Sequence, residues 1–289
     1  MGRRCRGGID SVRVTRLGAC VTCLLVPLLT TCSSARELRS EHNRVVDVCD
    51  EVGAVPAEVR TTYMLDDFYR KHADAHGLPV LASSQVDSRA LTLACRLVDT
   101  MLARRPDVRA ELVKEKVRFV VIGRNEGTAD VPEYGFKHRP QSEIDAVNAR
   151  ARGLGGIAAS CGEENLLCTL PDRYPDESVC VHEFAHSIAE GGVFKADDSF
   201  QGKLESAYRT ALESGLLDKT YRAESFQEYW AEGVQDWFST NAEADPPDGI
   251  NNQVNTREEL KVFDSRLYAL ISGVFPSDTT WGDCHVGGE

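Results

Sequence analysis

One five-residue stretch of the sequence carries a recognisable chemistry. Residues 182–186 read His-Glu-Phe-Ala-His, the HExxH pattern. Residues four apart lie on one face of a helix, so His182 and His186 can bind one metal ion while Glu183 reaches a water bound to it. Zinc suits neutral imidazole ligands, and a site that keeps one position for water is typical of catalysis. The ion would lower the pKa of that water, and Glu183 would take its proton during attack on a carbonyl.

A catalytic zinc site needs a third protein ligand, which must come from elsewhere in the chain. A metzincin would have glycine at position 189 and histidine at position 192, where this chain has Ala189 and Gly192, so that class is excluded. Glu205 has the HExxH-x18-Glu spacing of one group of aminopeptidases, without that group's flanking residues. Glu228 lies in a mostly apolar predicted helix, where a carboxylate needs a reason to be buried. Four residues later, Glu232 can hydrogen-bond a ligand histidine and fix its orientation.

The HExxH pattern at 182–186 and the ExxAE pattern at 228–232 together resemble the motif pair of the lethal-factor-like gluzincin metallopeptidases, the anthrax-toxin type and its smaller secreted relatives. The resemblance covers residues 150–275. It implies Glu228 as the third zinc ligand, Glu183 as the base, Glu232 as the partner of a ligand, and one Zn2+ per chain. It also implies a tyrosine near the oxyanion, for which Tyr221 is suitably placed. Tyr208 and Tyr229 are alternatives.

The first 35 residues have the pattern of a secretory signal peptide. Arginines are concentrated in residues 1–16, and the apolar run 17–29 that follows is shorter than the ~20 residues of a membrane-spanning helix. The pattern predicts cleavage after Ala35 and therefore a secreted protein. Residues 29–32 also resemble a lipobox, so the alternative is a protein anchored at the cell surface by a lipid on Cys32.

Cysteine usage agrees with export. Six of the ten cysteines lie beyond the predicted leader, and an even number in an exported chain predicts disulfide bonds. The candidates are Cys49, Cys95, Cys161, Cys168, Cys180 and Cys284. The sequence does not select among their possible pairings, although Cys161 and Cys168 are close enough in sequence to close a local loop.

Composition limits the class of partner. The 289 residues include 33 Lys+Arg against 45 Asp+Glu, for a formal net charge of −12. A chain this acidic offers no basic surface for a phosphate backbone, so nucleic acid is excluded as a partner. The expected partner is a peptide or protein substrate, and a membrane only if Cys32 is lipidated.

Hydrophobic periodicity and capping residues predict a helix-rich α+β fold. The predicted buried strand is 117–122, and a short strand is predicted at 154–159. The active-site helix should run from 177 to 190, capped by Asp176 and ended by Gly191-Gly192. Other helices are predicted at 87–105, 199–214, 225–240 and from Thr256 onward, where Thr256 and Glu259 form a capping box.

Within the α+β class, the resemblance implies a zincin-like, two-lobed metallopeptidase fold with HExxH on the active-site helix. The predicted organisation is a signal peptide at 1–35, an N-terminal helical region at 36–140 that is a lobe or a prosegment, and the catalytic region at 141–289. Within the catalytic region, residues 155–158 can align an extended substrate as an edge strand does.

The leading hypothesis from the sequence is a secreted zinc endopeptidase. One alternative is an aminopeptidase with Glu205 as third ligand. The other is a non-catalytic exported binding protein with a structural zinc site. Glu183 favours the enzyme, because it binds no metal in the HExxH arrangement and a structural site has no need of it.

Overall fold

The computed structural model of the protein describes residues 48–281, and its central strand lies where the sequence predicts one. Strand Arg118–Ile122 is buried along its whole length. Phe119 and Val121 pack into the main core, whereas Val120 and Ile122 belong to a smaller cluster. An unbroken apolar run is what a strand covered on both faces requires. The predicted leader, with Cys32, and Cys284 lie outside the described residues.

Six strands among the described residues form one mixed sheet in the order β1-β2-β3-β4-β6-β5. They are β1 Gly53–Ala54, β2 Lys71–Ala75, β3 Leu78–Ala82, β4 Arg118–Ile122, β5 Gly153–Leu154 and β6 Ala158–Gly162. The β3–β4 and β4–β6 pairs are parallel, and the other pairs are antiparallel. The short strand β5 therefore lies at one edge of the sheet.

Helices make up most of the remaining regular structure, consistent with the predicted α+β class. They are α1 Ala57–Tyr63, α2 Ser88–Leu102, α3 Pro106–Lys114, α4 Gln141–Arg150, α5 Glu163–Leu167, α6 Val179–Ser187, α7 Phe194–Ala196, α8 Phe200–Glu213, α9 Phe226–Phe238, α10 Arg257–Phe263 and α11 Ser265–Ser272. A π-helix at Ile188–Val193 joins α6 to α7.

The predicted helices α2, α8, α9 and α10 are confirmed. The Asp87 side chain accepts the Arg89 N–H at the start of α2. Thr256 and Glu259 form the predicted capping box of α10. Capping residues fixed these ends because they satisfy N–H groups that a helix leaves unpaired.

The predicted bounds of the active-site helix are wrong at both ends. Ser178, not Asp176, is the N-cap, and its Oγ accepts the Val181 N–H at 3.4 Å. Gly191-Gly192 does not end the helical path, which continues as the π-helix. A Cβ at Gly192 would lie 2.6 Å from Val108 Cγ1. These glycines allow close packing against α3, and the sequence cannot distinguish that use from a helix stop.

The region 36–140 contains strands that a helical prediction does not include. His76 and Gly77 both have positive φ and form the turn of the β2–β3 hairpin. The predicted boundary at residue 140 falls within one sheet, because β4 precedes it and β6 follows it. Residues 48–281 belong to a single compact unit.

Two disulfide bonds join pairs of described cysteines. Cys49 pairs with Cys95, and Cys161 pairs with Cys180. Cys161 therefore does not pair with Cys168, although they are close in sequence, and Cys168 is also in a disulfide. The Cys161–Cys180 bond joins β6 to the first turn of α6. Its ends are 19 residues apart and meet only because the helix folds back over the sheet. Among the described residues, no helix is long and apolar enough to span a membrane.

We expect the double substitution Cys161→Ala with Cys180→Ala to lower the free energy of unfolding by about 3 kcal/mol, because a loop of this size is no longer closed in the unfolded chain. Urea unfolding of the oxidised proteins measures the change. A difference below about 0.5 kcal/mol would show that this bond does not stabilise the fold. The same pair of substitutions at Cys49 and Cys95 is the comparison, with an expected loss of about 4 kcal/mol for its longer loop.

Candidate metal centre

Helix α6 carries His182, Glu183 and His186, and its opposite face is fixed to the sheet. Phe184 is fully buried and packs edge to face on Phe119 of β4, with ring centroids 5.5 Å apart. This contact and the Cys161–Cys180 bond orient the helix. With the apolar face held by the sheet, the two histidines point away from it toward α9.

Helix α9 is held against α6 by polar contacts at several points. The indole N–H of Trp230, a fully buried residue, donates to the Ala185 carbonyl oxygen at 3.0 Å. Ser225 caps α9 by accepting the Glu228 N–H at 3.1 Å. This cap places Glu228 in the first turn, facing the histidines. The predicted helix with a buried carboxylate is thus the second element of the site.

The side chains of His182, His186 and Glu228 converge. Their potential ligand atoms lie within 4.8 Å of one another, and no other such group of three occurs among residues 48–281. His182 Nε2 is 2.9 Å from Glu228 Oε2 and 3.2 Å from His186 Nε2. His186 Nε2 is 3.4 Å from the same Glu228 oxygen. Two imidazoles and a carboxylate aimed at one point form a donor set that suits a divalent metal ion.

The pKa values of these groups show the attraction for positive charge. Burial lowers the pKa of His182, but the hydrogen bond to Glu228 and the charges of Glu183 and Glu232 outweigh it and raise the pKa to about 10. Burial raises the pKa of Glu228, whereas its hydrogen bonds with His182 and His186 lower the pKa by more. A cation, whether a proton or a metal ion, is thus favoured between them.

Glu183 lies beside the donor set, between α6 and β5. Burial raises its pKa, which the charges of His182 and His186 and the Gly155 N–H partly counteract. Gly153 of β5 and Gly155 of the connection after it allow this approach. A Cβ at Gly153 would be 3.1 Å from Glu183 Cγ, and one at Gly155 would be 2.6 Å from His186 Cβ. A carboxylate with a raised pKa at this position is better able to hold a proton than an exposed glutamate.

Glu232 has a different environment from the one the sequence predicts. Its Oε1 is 3.5 Å from His182 Nδ1, beyond the usual length of a hydrogen bond to nitrogen. Its other oxygen accepts from Asn241 at 3.2 Å and lies 4.0 Å from Arg222 Nε. The hydrogen-bond partner of His182 Nδ1 is Gln235, at 2.7 Å. Gln235 is not recognisable from the sequence, because a lone glutamine in an amphipathic helix carries no distinguishing pattern.

Behind Glu232 lies a buried ion pair that the sequence analysis also missed. Arg222 donates to both carboxylate oxygens of Asp236, at 2.6 and 2.8 Å, and both residues are fully buried. Asn241 also donates to Asp236. The spacing of Glu228, Glu232 and Asp236 was the available signal, since residues at i, i+4 and i+8 share one helix face.

Tyr221 lies across the site from α6. Its ring centroid is 6.4 Å from that of His182. Burial and the charges of Glu228 and Glu183 raise the pKa of Tyr221 to about 12, so the hydroxyl remains a donor at neutral pH. The alternative tyrosines are engaged elsewhere: Tyr208 donates to the Ala223 carbonyl oxygen, and Tyr229 donates to Asp264.

Glu205, the rival third ligand, lies on α8 outside the donor set. Its carboxylate accepts a hydrogen bond from Gln201 at 2.9 Å on an exposed surface. The structure thus brings Glu228, and not Glu205, to the two histidines.

A cleft of about 880 Å³ opens over the three donors. One wall of the cleft is the edge of the sheet from Gly153 to Gly156. The strand predicted at 154–159 is divided between β5 and β6, and residues 155–157 connect the two. The other wall includes Tyr221 and Ile250, whose main chains are joined by a hydrogen bond of 2.8 Å. The volume is in the range of pockets that bind small molecules or a few residues of a peptide.

Comparisons with known proteins give little further information. No family model and no curated protein sequence matches the chain. Among solved structures, the chain is similar to the Pro-Pro endopeptidase from Paenibacillus alvei, with a TM-score of 0.40 and 14% identity, over 68% of this chain and 97% of that one. Similarity at this level carries no argument about activity.

We expect Glu228→Ala to lower zinc affinity by at least about 100-fold, because it removes one of three ligands. Glu205→Ala is the matched control and should bind like the parent protein. Equilibrium dialysis followed by elemental analysis measures both. The opposite pattern would assign the third ligand to Glu205.

Proposed function

We propose that the chain is an exported, zinc-dependent endopeptidase of the gluzincin kind. The observation that supports this most directly is the convergence of His182, His186 and Glu228 at the floor of the cleft, with Glu183 beside them. Two histidines and a glutamate are one of the known ligand sets of catalytic zinc. Disulfide bonds between described cysteines support an oxidising compartment, and hence export.

His182, His186 and Glu228 would hold the ion. Zinc bound there supplies Lewis-acid polarisation of a carbonyl and acidification of water. Glu183 removes a proton from the attacking water and delivers it to the leaving nitrogen of the peptide bond. Burial raises the pKa of Glu183 above the usual value of a glutamate, in the direction that favours a base that must later act as an acid.

Tyr221 and β5 complete the proposed site. The Tyr221 hydroxyl donates a hydrogen bond to the oxygen on which negative charge develops. Strand β5 is at the edge of the sheet and lines the cleft, so an extended peptide can pair with its main chain. The sequence predicted this role for residues 155–158, whereas the edge strand itself is Gly153–Leu154.

The proposal includes membership of the lethal-factor-like family and a zincin-like two-lobed fold. The position of Glu228 on a helix packed against the HExxH helix supports them. The aminopeptidase alternative is disfavoured by the distance of Glu205 from the donor set, and the binding-protein alternative by the partly buried Glu183 inside an open cleft. Lipidation at Cys32 and the signal peptide remain predictions from the sequence.

The test of the proposed activity is cleavage of a diverse peptide mixture, read by mass spectrometry. We expect the zinc-loaded protein to cut at internal bonds, and Glu183→Gln to lose at least about 100-fold in rate while binding zinc normally, because only the proton transfer is removed. Glu205→Gln is the control for loss of a glutamate outside the cleft. Zinc binding without cleavage of any peptide would count against the enzyme and for the binding protein.

Tyr221→Phe tests the oxyanion role separately. We expect kcat to fall about 100-fold with little change in KM or in zinc affinity, because the hydroxyl acts mainly in the transition state. Tyr174→Phe is a matched control, because Tyr174 is another tyrosine that lines the cleft. Equal rates for Tyr221→Phe and the parent protein would remove this tyrosine from the mechanism.

A further inference from the structure

The imidazole of His182 is held between two residues of one helix. Its Nε2 faces Glu228 at 2.9 Å and its Nδ1 faces Gln235 at 2.7 Å. Glu228 and Gln235 are seven residues apart on α9, which is two turns and therefore the same face. Helix α9 thus contacts both nitrogens of the same ring, one through a candidate ligand and one through a neutral amide.

The amide of Gln235 can have only one orientation. Its Nε2 lies 3.3 Å from the Ser178 carbonyl oxygen and 3.4 Å from Glu177 Oε2, and both of these atoms can only accept. The amide nitrogen must face them, so Oε1 must face the ring. An oxygen at that position requires a hydrogen on Nδ1, so Nε2, which faces Glu228 and His186, is the nitrogen available to a metal ion.

We propose that Gln235 is the positioning residue of the metal centre, which fixes the proton on His182 Nδ1 and the rotation of the ring. This inference rests on the proposed metal site and assigns to Gln235 the role that the sequence gave to Glu232. Gln235 is fully buried, so water does not readily replace it.

Glutamine fits this position better than a carboxylate. An ionised glutamate at 235 would turn an oxygen toward the Ser178 carbonyl and Glu177, and it would add charge beside Glu232. Glu232, in turn, is directed to Asn241 and Arg222. The structure therefore divides two tasks on α9: Gln235 orients the ligand, and Glu232 contacts the buried cation behind it.

The experiment measures zinc affinity by competition with a chromophoric chelator, and proton exchange at His182 by NMR of protein carrying 15N-histidine. We expect Gln235→Leu to weaken zinc binding about 10- to 100-fold and to abolish a slowly exchanging Nδ1–H signal. Gln235→Glu keeps an acceptor for Nδ1 in either protonation state, and it should retain the signal and bind zinc within about tenfold of the parent protein.

Thr240→Val is the matched control, because it removes a different buried polar group at the same end of α9. Thr240 is fully buried, and its hydroxyl donates to the main-chain oxygen of Gln235, not to the side chain. We expect it to lower thermal stability but to leave zinc affinity and the Nδ1–H signal unchanged.

Unchanged affinity and an unchanged Nδ1–H signal in Gln235→Leu would overturn the proposal, as would equal losses in Gln235→Leu and Thr240→Val. The outcome is separable from that of the proposed function. A parent protein that binds zinc but cleaves no peptide would refute the proposed peptidase activity. The zinc affinities of the Gln235 variants would still test the role of Gln235. If zinc does not bind, the metal site fails, and the NMR signal alone decides whether Gln235 orients the ring.

Discussion

Three electron-pair donors that point at one another need a positive charge between them, and the rest of the site follows from this constraint. His182 Nε2 and His186 Nε2 are 3.2 Å apart, with a Glu228 oxygen within 3.4 Å of both. Without a cation between them these donor atoms repel one another, so other contacts must hold α6 and α9 together. The hydrogen bond from Trp230 to Ala185 provides one such contact, and that from the Ser178 N–H to the Thr240 oxygen provides another.

The sheet supports the same constraint from the other side. Helix α6 is joined to β6 by a disulfide. It approaches the β5–β6 connection at a point where only glycine fits, since a Cβ at Gly155 would be 2.6 Å from His186 Cβ. The Ser187 hydroxyl donates to the Gly156 carbonyl oxygen at 2.7 Å and accepts the Gly156 N–H at 3.1 Å. The cleft wall and the helix with the HExxH pattern are therefore one rigid assembly, as precise ligand geometry requires.

Local patterns predicted the parts of the site that lie on a single element. Two histidines four apart and a glutamate in an apolar helix are visible because helix period places them on one face. Gln235 was not predictable, because its role depends on Ser178 and Glu177, which α6 brings to it across 57 and 58 residues of sequence. The Cys161–Cys180 pairing and the β4–β6 pairing are non-local in the same way. The hairpin turn at His76 and Gly77 was not predictable for a different reason: a glycine two residues before a proline also fits a helix stop.

The charges around the site favour a divalent ion over protons. Four carboxylates lie at or behind the donor set, namely those of Glu183, Glu228, Glu232 and Asp236, against the one guanidinium of Arg222. The bidentate pair with Asp236 uses most of that positive charge. Protons could neutralise the others, but a proton on an imidazole nitrogen consumes the lone pair that points at the centre. A divalent ion supplies two charges and leaves all three donors engaged. A metal ion in the site would therefore offset part of the cost of these buried acids, and its occupancy would be coupled to the stability of the helix pair that forms the site.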